Sequence, residues 1–189
     1  VRVLAALIRT LLPPLPKDAP VLVAGLGSRA VTPDAVGPKV CDHVIATRHL
    51  ITRSPEYFAA WRPVCALAPG VLGQTGVEAN EVIRGVLDRV RPGAVIAVDA
   101  LAAGRRSRLV RTGVGNARAA LNEQALGVPV LAVGVPTVAD GGSIAHEIAC
   151  QLGGAACEAL DDLSQPFIIT TRDIDREVAD TARLIGYAV

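Results

Sequence analysis

Short apolar runs alternate with amphipathic stretches along most of this chain, a pattern typical of a sheet covered by helices on both faces. The apolar runs are rich in valine, alanine, leucine and isoleucine, as expected of strands buried on both sides. In chain order the predicted strands are VLVAG (21–25), VCALAPG (64–70), AVIAV (94–98), VPVLAVG (128–134) and PFIIT (166–170). The sequence therefore predicts an α/β fold with a doubly wound, mostly parallel sheet.

Helical periodicity separates these strands. The clearest helix shows one apolar face made by Ala79, Val82, Ile83, Val86, Leu87 and Val90. Further helices are predicted from Pro38 to Thr47, from Ser143 onwards and at the C-terminus, where Thr170 and Asp173 are placed as a capping box. Residues 1–20 are interpreted as a short amphipathic helix and a linker, and residues 1–189 as a single domain.

Charge and composition narrow the function classes. The 189 residues carry 19 basic and 18 acidic side chains, so a net charge of +1 provides no electrostatic footprint for nucleic acid or an anionic membrane surface. No apolar run reaches membrane-spanning length, and the first residues lack a secretory cleavage pattern. We expect a cytoplasmic protein with a small-molecule or protein partner. The four cysteines show no CxxC spacing and are predicted to be structural free thiols: Cys41, Cys65, Cys150 and Cys157.

Two acidic residues stand out because each follows a predicted strand. Asp34 ends a glycine-containing loop after the first strand, and Asp99 directly follows AVIAV. Carboxyl ends of parallel strands share one edge, so these side chains are expected to converge, and two close carboxyls cannot both ionise easily. One would keep its proton while the other activates water, which is acid–base chemistry for hydrolysis. The alternative interpretations are an Asx turn or helix cap for Asp34, and the N-cap of a helix beginning at Ala100 for Asp99.

Other motifs point less clearly to chemistry. GLGSRA (25–30) matches a dinucleotide-binding pattern, but Val31, Thr32 and Pro33 oppose the helix that this motif requires, so we expect no nucleotide cofactor. The histidines lack metal-ligand spacing, and we expect no metal. His49 alone is kept as a possible accessory residue.

Six segments, taken in order, resemble the spore germination proteases: GLGSRAVTPDAVGP, ATRHL, WRPVCALAPGVLGQTG, VIAVDALAA, GVGNARAAL and GVPVLAVGVPTVAD. The resemblance implies an endopeptidase that degrades small acid-soluble spore proteins during germination, is made as a zymogen, needs no cofactor and assembles as a homotetramer in the spore core. It also implies a three-layer α/β/α sandwich like that of the hydrogenase maturation endopeptidases. Between Thr112 and Gly113 the chain lacks a longer segment that the family usually carries.

The resemblance also implies site residues. The motifs TPDAVGP and VDALAA place the family's proposed aspartic pair on Asp34 and Asp99, without deciding which is the base. Substrate-binding or oxyanion groups are expected in the two glycine-containing loops, at Gly25, Gly27, Gly70, Gly73 and Thr75. Two alternatives remain open: a metal-dependent peptidase of the hydrogenase maturation type, and a catalytically inactive binding module on the same scaffold. Metal dependence tests the first, and replacement of either aspartate tests the second.

Overall fold

Six strands form one sheet in the part of the chain that the computed structural model describes, namely residues 1–103, 112–116, 123–152 and 168–189. The strands are β1 Val21–Gly25, β2 Val64–Leu67, β3 Ala94–Ala103, β4 Gly113–Asn116, β5 Val130–Asp140 and β6 Ile168–Thr170. The helices are α1 Arg2–Leu11, α2 Val36–Cys41, α3 Arg48–Arg53, α4 Pro55–Phe58, α5 Leu72–Thr75, α6 Ala79–Val90, α7 Glu123–Leu126, α8 Gly141–Leu152 and α9 Ile174–Gly186. A 3₁₀ helix, Thr32–Asp34, precedes α2.

The sheet is mostly parallel, as predicted. Its strand order is β2-β1-β3-β5-β4, and β2, β1, β3 and β5 all run in the same direction. The other two strands, β4 and β6, run antiparallel to β5. They pair with successive parts of β5, at Leu131–Gly134 and Val138–Asp140, on the edge opposite β3.

Helices cover both faces of the sheet and so confirm the three-layer α/β/α expectation. Alternate strand residues point to opposite faces, so Val21 and Val23 pack with α2 and α9, and Leu22 and Ala24 pack with Ile83 of α6. The predicted N-terminal helix is α1, which adds its buried Ile8 to the α2 and α9 layer. Burial of these apolar groups on both faces explains the continuous apolar strands.

Two strands are longer than predicted. β3 does not end before Asp99 but continues to Ala103, and β5 continues to Asp140 through the segment predicted as a loop. The two extensions pair with each other, with one register irregularity at Leu101/Ala102. Because β1 pairs with β3 only from Val21 to Gly25, β3 and β5 project beyond it. Asp99 therefore lies within a strand.

Several predicted helix boundaries were wrong. The helix predicted from Pro38 to Thr47 ends at Cys41, since the next backbone N–H groups form turn bonds, including one from His43 to the Val40 carbonyl at 2.9 Å. α8 begins at Gly141 rather than at Ser143. The Ser143 N–H lies in its first turn and donates to Oδ2 of Asp140, the residue before the helix, at 2.7 Å.

The loop predicted around Gly73 contains the short helix α5. The last helix starts with Asp173 as N-cap but without the predicted capping box, because the Thr170 hydroxyl instead donates to the Thr137 carbonyl at 2.8 Å. Residues 166–167 of the last predicted strand lie outside the described residues.

The cysteine prediction holds where the structure describes the side chains. Cys41 and Cys65 are free thiols, and burial raises the pKa of each. The Cys150 side chain and Cys157 lie outside the described residues. A thiol with a raised pKa is a poor nucleophile, which fits a packing role for Cys41 and Cys65.

Candidate active site

A tight loop after β1 holds Asp34. The sheet pairing of β1 ends when the Leu26 N–H donates to the Val98 carbonyl at 2.8 Å, and the chain returns through the 3₁₀ helix that ends at Asp34. The Asp34 carboxylate accepts a hydrogen bond from the Ser28 N–H at 2.7 Å, measured to Oδ2. This bond ties the two arms of the loop together and fixes the carboxylate above the end of β1.

Gly27 is what allows this closure. Its φ of +108° is in the region that favours glycine, and a Cβ there would lie 2.1 Å from the Asp34 carbonyl oxygen and 2.9 Å from Asp34 Oδ1. A side chain at this position would therefore push Asp34 away. Gly27 is a positioning residue for Asp34.

Asp99 approaches the same region from the other face of the sheet. It follows Val95 and Ala97 in strand alternation, so its side chain lies on the α6 face, whereas the 3₁₀ helix carrying Asp34 packs beside α9. Burial raises the pKa of Asp99, and the negative charge of Asp34 raises it further, although the Ala100 N–H opposes the change by stabilising the carboxylate. Asp99 therefore has a raised pKa and lies within reach of the charge of a second carboxylate.

The structure uses neither aspartate as a helix cap. The N-cap of α2 is Ala35 and no side chain caps that helix, so Asp34 is not a helix cap. Residues Ala100 to Ala103 are strand, so Asp99 has no helix to cap. No helix begins in the glycine-containing loop before Thr32, whereas a dinucleotide-binding motif requires one there. Neither aspartate therefore caps a helix, and the Asp34 carboxylate braces its own loop through the Ser28 N–H.

Sequence reasoning missed two residues that support the loop, Ser28 and Gln74. Ser28 is only 4% exposed, and besides its N–H bond to Asp34 it accepts a hydrogen bond on Oγ from Gln74 Nε2 at 2.8 Å. Gln74 belongs to α5, so this contact links the segment after β2 to the segment after β1. Each residue is a polar side chain in a glycine-containing loop, but nothing local in the sequence indicates that the two loops meet.

The other predicted site residues have mainly local contacts. Gly25 lies in β1, where a Cβ would be 2.1 Å from the Gly37 carbonyl oxygen, so it allows α2 to pack closely on the strand. Gly70 has a φ of +82° beside Thr75, whose hydroxyl bonds to the backbone carbonyls of Val71 and Val77. Gly73 faces open space.

Two further observations bear on the predicted roles. In the loop after β1, the N–H groups of Leu26 and Ser28 already donate to Val98 and Asp34, so they are not free to stabilise an oxyanion.

His49 is exposed on α3, which begins beside Val64 at the amino end of β2. Because Asp34 and Asp99 lie at the opposite, carboxyl end of the strands, the structure separates His49 from them.

A shallow apolar cleft adjoins Asp34. Its volume is about 280 Å³, slightly below the ~300–1,000 Å³ typical of small-molecule sites. The lining residues are Val31, Pro33, Asp34, Ala100, Leu101, Ala102, Thr137, Val138 and Ile168. The cleft therefore combines one carboxylate with walls suited to an apolar group.

Within residues 1–103, 112–116, 123–152 and 168–189, no three His, Cys, Asp or Glu side chains cluster closely enough to hold a metal ion. None of the helices in those ranges combines the length and the apolar character needed to cross a bilayer.

The chain matches a known protein family over most of its length. The family described as "Germination protease" matches residues 1–152. The germination protease of Clostridium perfringens (strain SM101 / Type A) is 45% identical over 146 residues, covering 70% of this chain and 45% of that protein. Those of Caldanaerobacter subterraneus subsp. tengcongensis and Bacillus velezensis are 49% and 47% identical over 146 residues, covering 70% of this chain and 45% and 40% of those proteins. The chain thus spans less than half the length of these curated relatives.

Among solved structures, the NiFe hydrogenase maturation protease HycI from Thermococcus kodakarensis KOD1 aligns with a TM-score of 0.46 and 14% identity. This alignment covers 90% of this chain and 92% of that protein.

Proposed function

Because this chain belongs to the germination protease family, we propose that it is an endopeptidase that degrades small acid-soluble spore proteins during spore germination, using Asp34 and Asp99. The family match over residues 1–152 includes both aspartates. The observation that carries the proposal is the placement of Asp99, whose pKa is raised by burial and by the charge of Asp34. A carboxyl that keeps its proton next to an ionised one is the arrangement that acid–base hydrolysis requires.

The different environments of the two aspartates suggest separate roles. Asp99 is the acid in this scheme, because its raised pKa keeps it protonated to higher pH. Its O–H would donate a hydrogen bond to the carbonyl oxygen of the scissile peptide. Asp34 is the base, and its position is fixed by the Ser28 N–H. Its second carboxylate oxygen would accept the hydrogen bond of the attacking water.

The proposed reaction balances its protons within the pair. Asp34 takes a proton from water while the water oxygen bonds to the carbonyl carbon, and Asp99 gives its proton to the carbonyl oxygen. In the second step Asp34 passes its proton to the leaving nitrogen as the C–N bond breaks. Asp99 recovers its proton from the hydroxyl as the new carboxyl group forms. The pair then returns to its starting protonation.

The family resemblance extends the proposal to the state of the protein. We propose a zymogen-derived homotetramer in the spore core, acting without a cofactor. Exposed apolar side chains support subunit contacts, since Ile45, Tyr57 and Trp61 are 62%, 76% and 49% exposed. Such groups are often buried when subunits assemble.

The test compares the protein with Asp34→Asn and Asp99→Asn. Each is incubated with a small acid-soluble spore protein, and the product masses are followed over time with and without a chelator. Because acid–base groups typically contribute about 10²–10⁴-fold in rate, each variant should lose cleavage to this extent. Asp88→Asn on the exposed side of α6 is the matched control and should cut normally.

Each other outcome excludes a part of the proposal. Full cleavage by both variants would show that the aspartates are structural. Loss of cleavage with the chelator would favour the metal-dependent alternative. Binding of the spore protein without any cleavage by the unmodified chain would favour the inactive binding module.

A further inference from the structure

β3 has an open backbone edge next to Asp99. The pairing of β1 with β3 ends at Gly25 and Val98, but β3 continues to Ala103. Strand residues direct their backbone groups alternately to the two edges, so Ala100 and Ala102 face the same side as Val98, whose carbonyl accepts the bond from β1. Across the described ranges, no backbone group pairs with Ala100 or Ala102 on that side, although the Ala100 N–H bonds to the Asp99 carboxylate.

The loop that carries Asp34 creates this opening. A continued β1 would bring Leu26 alongside Asp99 and Gly27 alongside Ala100. The Leu26 carbonyl oxygen instead turns towards α2, 2.2 Å from where a Gly37 Cβ would lie. Gly27, with its φ of +108°, then takes the chain off the sheet. Asp34 therefore lies over one face at the mouth of the open edge, and Asp99 lies on the other face.

Apolar surface continues from this edge. Ala100 and Ala102 line the cleft beside Asp34 together with Val31, Pro33 and Val138. Leu101, on the same stretch of β3, also lines the cleft and is 42% exposed. A segment lying along β3 would thus find backbone partners at the edge and an apolar wall above it.

We propose that an extended segment of the substrate polypeptide pairs with the outer edge of β3 at Ala100–Ala102 and adds a strand to the sheet. One apolar side chain of that segment enters the cleft, and the scissile amide lies between Asp34 and Asp99. The occupant is a peptide backbone, because an extended chain matches the strand spacing of the Ala100 carbonyl and of the Ala102 N–H and carbonyl, which have no backbone partner on that side in the described ranges. This inference rests on the proposed function and describes how its substrate is held.

The proposed pairing at this edge is tested by modifying the peptide rather than β3. Overlapping synthetic peptides covering one small acid-soluble spore protein are screened for cleavage by the unmodified chain, and for binding to Asp99→Asn by fluorescence anisotropy. The best peptide is then resynthesised with a single N-methyl group at each position in turn. Strand pairing uses every second N–H, so methylation should weaken binding about tenfold at alternate positions and little in between.

The cleft is tested with one substitution and a matched control. Ala102→Leu would fill the cleft from its floor and should shift the preferred peptide towards a smaller side chain at one position. Ala60→Leu makes the same change at an exposed residue away from the cleft and should leave the preference unchanged. Circular dichroism of both variants confirms that they fold alike.

The outcomes separate this inference from the proposed function. Cleavage with a flat N-methyl profile would overturn the edge pairing while leaving the protease intact. Alternating losses in binding without any cleavage would support the edge and refute the protease. Absence of both cleavage and binding would overturn both. If Ala102→Pro dissociates an oligomer and leaves peptide affinity unchanged, the edge is a subunit contact and the inference is wrong.

Discussion

Replacing Gly27 by alanine tests whether the loop after β1 holds Asp34 in its working position. The backbone conformation at φ +108° costs an L-residue about 1–3 kcal/mol. The added Cβ would also meet the Asp34 carbonyl oxygen at 2.1 Å, and this backbone atom cannot rotate away. Relief requires a displacement of about 1 Å, and a misplacement of that size typically costs about 10²-fold in catalytic rate.

Two measurements follow from this reasoning. In urea unfolding, Gly27→Ala should lower the free energy of unfolding by at least the cost of the backbone strain, which is about 1–3 kcal/mol. Peptide cleavage should fall about 10²-fold in kcat/KM, under conditions where the variant is folded. Gly85→Ala is the control, since Gly85 lies within α6 with open space around it and the change should stabilise the helix by up to about 1 kcal/mol. A Gly27→Ala protein that unfolds within about 0.5 kcal/mol of the original and cleaves normally would refute the positioning role.

The remaining predictions concern titration and assembly. The raised pKa of Asp99 means that the folded state keeps a proton which the unfolded chain loses near pH 3.8, so stability declines as pH rises from there through the folded pKa. Asp99→Asn should remove that decline. The free energy of unfolding of the variant, measured with urea, should therefore rise relative to that of the original protein over this pH range and then level off. A difference that does not depend on pH would contradict the raised pKa of Asp99. The proposed tetramer should give four times the chain mass by light scattering, and Trp61→Glu should reduce that mass, because a buried charge opposes assembly. An unchanged mass would place the subunit contact elsewhere.

The sequence predicted the main architecture because its signals there are local. Continuous apolar strands and the amphipathic face of α6 each depend on residues close together in the chain. The convergence of Asp34 and Asp99 followed from one rule, that parallel strands end at a common edge. The charge of Asp34 contributes to the raised pKa of Asp99, and Asp99 lies within its strand rather than at the end.

The missed features depend on contacts between distant segments. The extension of β3 consists largely of alanine, which has low strand propensity, and it is strand because β5 pairs alongside it. The short strand β4 contains two glycines and likewise depends on β5. Ser28 and Gln74 gave no local signal of their shared hydrogen bond, because the bond joins two separate loops.

The position of β1 between β2 and β3 has a consequence for synthesis on the ribosome. Asp34 is translated early, but Asp99 reaches it only when β3 has emerged and paired in parallel with β1. Such pairing between distant segments is slow to form, because a long loop must close first. An incomplete nascent chain therefore lacks the proposed aspartate pair. Under the proposed function, a newly made chain would be able to hydrolyse peptides only after β1 and β3 have paired.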